Sequence, residues 1–311
     1  MRVIKNLSIE IPGTNTHYFG LDEFSQDDRQ QVLLYGYTNL ENDYEFNKIK
    51  NYKRKIYLNV TMPTEFCSSQ STYADDKFDE IYGICPLTVK WLNEIKNVSK
   101  YKSIFYPFNE KDIPNTQLKL YDVCYHGGIH GSLYTECLEI MSNFNYRYMT
   151  MTHGINDLTT KNLHRATNLN LTNEQKLNII AQSKISVCYN TFPVRGYDDL
   201  NNIKTRKDWW KNQAFSHVEK EQIIPQFKSR FNEAAMSRTL NLIKKDHWNV
   251  VEYYYKPNKD FIYFESNEEL KEKIESILNN WPEYQPIIES AYNKSLKYTT
   301  KNLYNKIKED L

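Results

Sequence analysis

No run in this sequence reaches the ~18 consecutive apolar residues that a membrane-spanning helix needs. The opening residues, Met1-Arg2-Val3-Ile4-Lys5-Asn6, carry no apolar core and cleavage site of a signal peptide. Both absences predict a cytoplasmic chain, in the host cytoplasm if the source is viral. Cysteine is sparse and unpatterned: Cys67, Cys85, Cys124, Cys137 and Cys188 stand singly, with no CxxC pair and no histidine at zinc-site spacing. Such an odd set reads as reduced, buried thiols rather than a disulfide framework. Charge of one sign is missing too, because 40 lysines and arginines face 39 aspartates and glutamates. No molecule-wide field is available to hold a polyanion or a membrane surface, so any such contact has to be local.

Familiar catalytic signatures are also absent. GxSxG, the Walker loop and HExxH do not occur, which leaves hydrolase and nucleotidase readings without a motif. Asp27-Asp28, Asp75-Asp76 and Asp198-Asp199 are adjacent pairs that read as solvated turns, so no essential metal and no cofactor are expected. Glycine is scarce at nine residues whereas tyrosine is abundant at 25, which reads as a coding bias laid over an ordinary globular composition.

What is present is an alternation of short β-branched or aromatic runs with polar, helix-like segments, the pattern of an α/β protein with mainly parallel sheets. Strands are predicted at 32–35, 55–60, 103–106, 122–125, 146–150, 185–189, 240–243 and 261–264. Helices are predicted from Leu87 after Pro86, over 133–144 and 173–182, and after Ser266, where S-x-x-E spacing marks a capping box. A last helix is expected over 286–308. A length of 311 residues favours two domains. Two prolines in the polar stretch 107–115 place the boundary near residue 112. The expected division is 1–112, 113–285, and a C-terminal helix, 286–311, that crosses back to the first domain. The zone 192–224 has no steady period and reads as a long loop. Its Trp209 and Trp210 lie beside Arg206, Lys207 and Lys211, a small basic-aromatic patch or a buried loop anchor.

Two stretches carry chemistry. Tyr121 to Tyr125 leads into His126-Gly127-Gly128-Ile129-His130-Gly131, which places three of the nine glycines in one turn before a helix. Absent side chains there let the backbone approach a phosphate or sugar, although a purely structural turn explains the same residues. Further on, Lys228-Ser229-Arg230-Phe231-Asn232-Glu233-Ala234-Ala235 reads as a loop entering a helix whose N-terminus points at the C-terminal edge of a sheet. Lys228 and Arg230 add charge suited to a diphosphate, and Glu233 can accept the two hydroxyls of a ribose. Asn168 lies in a segment placed to flank a base, with Thr172 or Asn173 capping the next helix. Asn15 and His17 are candidate acceptor-side residues.

These motifs resemble the donor-binding domain of GT-B glycosyltransferases of the group 1 type, including the spore-maturation-like and viral branches. The likeness covers about residues 118–280 and rests on Lys228, Arg230, Phe231, Glu233, Ala234, Glu252, the 261–264 strand and Glu268-Glu269-Leu270. Pro225 stands where the family carries an earlier glutamate, and Ser237-Arg238 displace its usual glycine. The resemblance implies two Rossmann-like domains facing across a cleft, with the N-terminal one short. It also implies a nucleotide-diphosphate sugar as co-substrate, Glu233 on its ribose, Lys228 and Arg230 near its diphosphate, and His126, Gly127, Gly128, His130 and Glu252 around it. Metal-independent transfer with retention to a glycan hydroxyl is the expected activity. An inverting enzyme would use Glu65 or His17 as base. Modified DNA bases as acceptors, and a sugar-nucleotide or glycan-binding module without catalysis, are the alternatives.

Overall fold

A computed structural model of the chain describes residues 1–5, 20–36, 43–59, 77–116, 118–127, 132–149, 167–168, 171–193, 217–218 and 221–309. The first parallel sheet takes its strands in sequence order: β1 (Arg2–Lys5), β2 (Gln31–Gly36), β3 (Arg54–Asn59), β4 (Glu80–Gly83) and β5 (Tyr101–Ser103). The helices α1 (Asp43–Ile49) and α2 (Pro86–Lys96) belong to its crossovers, and Pro86 sits in the first turn of α2, where its missing N–H costs nothing. Both faces of the sheet are covered, as a parallel sheet requires. Leu33, Tyr35, Ile56 and Leu58 pack into a cluster with Leu303, Tyr304 and Ile307 from the chain's end. Tyr57 points the other way, its ring centroid 5.3 Å from that of Phe78.

The second sheet contains β6 (Tyr121–His126), β7 (Tyr146–Met149), β8 (Thr167–Asn168), β9 (Ser183–Tyr189), β13 (Leu240–Lys244) and β14 (Ile262–Phe264), ordered β14-β13-β9-β6-β7-β8 and parallel throughout. From β6 the chain builds outward through β7 and β8, then returns to the far side of β6 and builds through β9. The C-terminal ends of β6 and β9 therefore flank a topological switch point, the crevice in which open α/β sheets bind ligands. Between β9 and β13 a small antiparallel ribbon, β10 (Thr191–Pro193), β11 (His217–Val218) and β12 (Glu221–Pro225), leads into α5 (Ser229–Met236). One face of the second sheet packs on α3 (Ser132–Met141), α6 (Asn267–Asn279) and α7 (Gln285–Ser295). Cys124 and Met149 on the other face meet α4 (Asn173–Ala181) and α5.

Local chemistry explains the helix starts. Thr172 and Gln175 exchange hydrogen bonds in a complete capping box at the head of α4. Ser266 Oγ accepts from Glu269 N at 3.2 Å at the head of α6, whereas Glu269 reaches back to Glu265 N rather than to the cap residue.

Several elements differ from the sequence reading, among them β10, β11 and β12, which lie within or beside the zone 192–224 read as a long loop. The strand expected at 103–106 lies at Tyr101–Ser103, because the next carbonyls serve the second half of the chain: Ile104 O accepts from Tyr254 Oη and Tyr106 O from Asn232 Nδ2 at 2.7 Å. The single helix expected over 286–308 is two, α7 and α8 (Thr300–Glu309), since Thr299 bridges to Phe108, whose N–H donates to Tyr298 O and whose carbonyl accepts from Thr300 N. Strand β1 carries too little pattern over four residues to show itself in sequence.

Helix α8 buries Leu303 and Ile307 completely, in one cluster with Met1, Val3 and Leu21. Leu303→Ala is expected to lower unfolding free energy by about 2–5 kcal/mol and to reduce amide-exchange protection in β1 and β2. Denaturant titration with hydrogen exchange checks this. A loss below about 0.5 kcal/mol would mean that α8 merely rests on the surface.

Candidate functional site at the C-terminal edge of the second sheet

The last residue of β6 is His126, and the turn of α5 that holds Glu233 lies against it. His126 Nδ1 is 3.1 Å from Glu233 Oε2, and Lys176 Nζ from α4 donates to Glu233 Oε1 at 3.0 Å. Ser186 Oγ, from β9, lies 3.3 Å from the other imidazole nitrogen, Nε2. The connectivity serine–imidazole–carboxylate is that of a hydrolytic triad, but Ser186 is fully buried in a central strand and no substrate can reach its hydroxyl. The chain serves orientation instead: Nδ1–H donates to Glu233 and Nε2 accepts from Ser186, which fixes both the tautomer and the ring.

Burial opposes ionisation of Glu233, yet the charges of Lys176 and the hydrogen bond from His126 hold its carboxyl far below the usual range. Burial pushes the His126 imidazole down, against the pull of Glu233, so the ring is neutral. Lys228 flanks the start of α5. Burial lowers its ammonium well below the ordinary lysine value, and the neighbouring Arg230 charge acts in the same sense. Its backbone N–H donates to Asn190 Oδ1 at 3.0 Å, while Asn190 O accepts from Gln226 N, so the residue that ends β9 sets the entry of α5.

Arg230 Nη1 donates to Tyr125 Oη at 2.9 Å and its guanidinium lies over the Tyr125 ring. The same guanidinium passes over Gly127, which has φ +117°, and a Cβ there would fall inside its van der Waals surface. Glycine is needed twice over, for the backbone angle and for the close approach. Cys188 has Arg230, Lys228 and Glu233 as charged neighbours, but burial pushes its thiol up to about 11, so it stays protonated. The crevice thus brings the basic side chains of Lys176, Lys228 and Arg230 near the Glu233 carboxylate, a setting suited to an anionic ligand.

Of the sequence-predicted residues, His126, Gly127, Lys228, Arg230 and Glu233 come together here. Glu252 is exposed on the 3-10 turn Val250–Tyr253 and accepts from Tyr263 Oη at 3.1 Å rather than from this cluster. Asn168 belongs to β8 at the same sheet edge. Gly128, His130, Asn15, His17 and Glu65, with Trp209 and Trp210, lie outside the described residues. Both oxygens of Glu233, which the sequence reading reserved for a ribose, already have protein partners and accept a ligand only through their remaining lone pairs. Sequence reasoning missed Lys176, Ser186 and Asn190, for which order along the chain carries no signal. Pro225 ends β12 opposite Thr191, with its carbonyl 4.0 Å from Cys85 Sγ across the two halves of the molecule. Among the described residues no group of histidine, cysteine and acidic side chains is arranged to hold a metal ion. No described helix is long and apolar enough to cross a membrane.

No protein-family profile matches the chain, and no curated protein matches it in sequence. Solved structures do match in fold. TarM of S. aureus, in complex with fondaparinux, alpha-GlcNAc-glycerol and UDP, has TM-score 0.59 at 12% identity over 94% of this chain and 57% of its own. HepE of Anabaena with UDP and glucose has TM-score 0.57 at 9% identity over 90% of this chain and 77% of its own. The pneumococcal O-GlcNAc transferase GtfA with UDP and GlcNAc has TM-score 0.56 at 10% identity, over 94% and 58%. The fold is GT-B. This GT-B chain spans little more than half the length of TarM and GtfA.

Asp246, just past β13 at the same sheet edge, supplies a pH test. Its Oδ1 accepts from Trp248 N and Val250 N, while the buried Oδ2 has no hydrogen-bond partner, and burial pushes the carboxyl up to about 6. A raised folded-state pKa contributes stability that is complete below the unfolded value near 3.8 and lost as pH rises through about 6. Asp246→Asn keeps the Oδ1 acceptor, so its stability relative to the native chain should improve by on the order of 2 kcal/mol from pH 4 to 7. Denaturation at both pH values decides it, and an unchanged difference would mean that Asp246 is not desolvated. Gly127→Ala should displace Arg230 and cost about 1–3 kcal/mol, measured the same way.

Proposed function

We propose that this chain is a glycosyltransferase that moves a sugar from a nucleotide-diphosphate donor to an acceptor hydroxyl. The observation that carries the reading is the cluster of buried basic side chains, with Arg230 over Gly127 and Lys176 on Glu233, at the switch point of a GT-B second sheet. In this reading residues 1–112 form the acceptor side, 113–285 bind the donor, and 286–311 return to the first unit. Glu233 takes the donor ribose through its remaining lone pairs, with its orientation fixed by His126 and Lys176. Arg230 and Lys228 face the diphosphate, and Gly127 lets the phosphates approach the backbone.

The chemical demand is departure of the diphosphate. As the bond from the anomeric carbon to the phosphate oxygen breaks, negative charge grows on the leaving group, and fixed cations in a water-poor crevice stabilise it most at that moment. The new bond joins the acceptor oxygen to the anomeric carbon, and the acceptor proton passes to the departing phosphate. That route needs no protein base and gives retention. The charge compensation comes from Arg230 and Lys228, which makes the step independent of a metal. A glycan is the acceptor class proposed, and a hexose or a pentose the sugar. The solved structures named above hold UDP, so uridine is the first base to test.

Isothermal titration with UDP and UDP-glucose is expected to show binding, weakened about 10- to 100-fold in Glu233→Ala and in Arg230→Ala, as for loss of hydrogen bonds to charged groups. Circular dichroism confirms that each variant is folded. A folded native chain that binds no UDP, GDP, CMP or dTDP sugar would overturn the reading.

A further inference from the structure

The opposite edge of the second sheet has a basic cavity of its own. The loop from Lys256 to Asp260 enters β14 at its N-terminal end, whereas His126 lies at the C-terminal end of the parallel β6, so the two places are on opposite edges. The cavity there holds about 320 Å³ and is lined by Lys256, Lys259, Asp260, Ser290, Asn293, Lys294 and Lys297. Ser290, Asn293, Lys294 and Lys297 recur at i, i+3, i+4 and i+7, one stripe running along α7 into the following 3-10 turn. Lys256 and Lys259 face that stripe from the loop.

The single carboxylate is already engaged. Asp260 is 1% exposed, its Oδ1 accepts from Ser290 Oγ at 2.6 Å, and its Oδ2 accepts from Lys256 N at 2.8 Å and Lys294 Nζ at 3.1 Å. Lys294 is pinned by that ion pair and lies over the Tyr255 ring, and its position in the last turn of α7 also answers the helix dipole. Lys256, Lys259 and Lys297 remain in surplus, with no ion pair among the described residues. In a chain whose charges otherwise balance at 40 against 39, three uncompensated ammonium groups around one concavity are a local field with a defined sign.

We propose that this cavity is a second anion site, separate from the donor crevice, for a soluble ligand bearing two or more phosphate groups. Three mobile ammonium groups suit phosphate oxygens distributed over more than one centre, since each is a point charge with three rotatable donors. Asn293 adds a neutral amide at the rim, and Asp260 positions Lys294 rather than repelling the ligand, because its oxygens are committed. The volume exceeds that of a single phosphate and fits an oligophosphate or a phosphorylated sugar.

Titration calorimetry with tripolyphosphate, at low salt, compares the native chain with the triple variant Lys256→Gln/Lys259→Gln/Lys297→Gln. A control, Lys301→Gln/Lys306→Gln/Lys308→Gln, lowers net charge equally on exposed positions of α8. Binding is expected, weakened at least about tenfold in the first variant and little changed in the control. Equal weakening in both variants would reduce the effect to overall charge and overturn the proposal. So would binding that the first variant leaves intact, which would assign the phosphate to the Arg230 crevice, or an absence of binding by the native chain. UDP titration of the first variant keeps the two sites apart, since UDP affinity should not change. Co-sedimentation with phosphatidic-acid vesicles without tripolyphosphate binding would overturn the soluble assignment.

Discussion

The carboxylate of Glu233, shared between Lys176 and His126, is the interaction on which the crevice depends. A lone ionised carboxylate at this depth would be untenable, and an unpaired lysine equally so. Together they satisfy one another and, in doing so, fix three elements at one point: α4 through Lys176, α5 through Glu233 and β6 through His126. Ser186 extends the constraint into β9 by claiming the second imidazole nitrogen. The four elements that meet are those flanking the switch point, so the electrostatic pairing and the sheet topology select the same place. Arg230, one turn before Glu233 on α5, is then carried over Gly127, where only a residue without a side chain leaves it room.

The two halves of the molecule are joined by a different chemistry, built largely from tyrosine. Tyr254 Oη donates to Ile104 O, Tyr255 Oη to Asn232 Oδ1 and Tyr298 Oη to Tyr254 O. Asn232 in turn donates to Tyr106 O. Their rings stack on one another and on Phe227, Phe231 and Phe105, so each residue contributes buried apolar area together with a satisfied hydroxyl. A tyrosine content that looks like compositional bias thus has a physical use, since a hydroxyl at the end of a rigid ring reaches carbonyls that no ladder satisfies.

The strands and helices of the second sheet were legible because each states its own period or cap within a dozen residues. Thr172 with Gln175, Ser266 with Glu269, and the run Leu240 to Ile243 are examples. The loop into α5 was legible for the same reason: Lys228, Arg230 and Glu233 lie within six residues of one another. Their partners were not. Lys176 is 57 residues from Glu233 in sequence, and nothing in the Asn173–Ala181 pattern distinguishes it from a solvated helix lysine. The break between α7 and α8 was invisible on the same ground, because Thr299 turns away to meet Phe108, a partner from the connection between the sheets.

Lysine shows how strongly the two sheet edges differ. Near the N-terminal edge, Lys119 Nζ donates to Ala181 O, Ser183 O and Arg238 O at 2.7–3.0 Å, tying the ends of α4 and α5 to the start of β9. Burial lowers its ammonium to about 8, but the carbonyls at those helix ends carry the partial negative charge that holds it there. At the C-terminal edge the helix starts present N–H groups instead, and Lys176 pairs with the Glu233 carboxylate rather than with helix carbonyls. The polarity of a parallel α/β sheet therefore makes one lysine a clasp on carbonyls at one edge and another the partner of a carboxylate at the other.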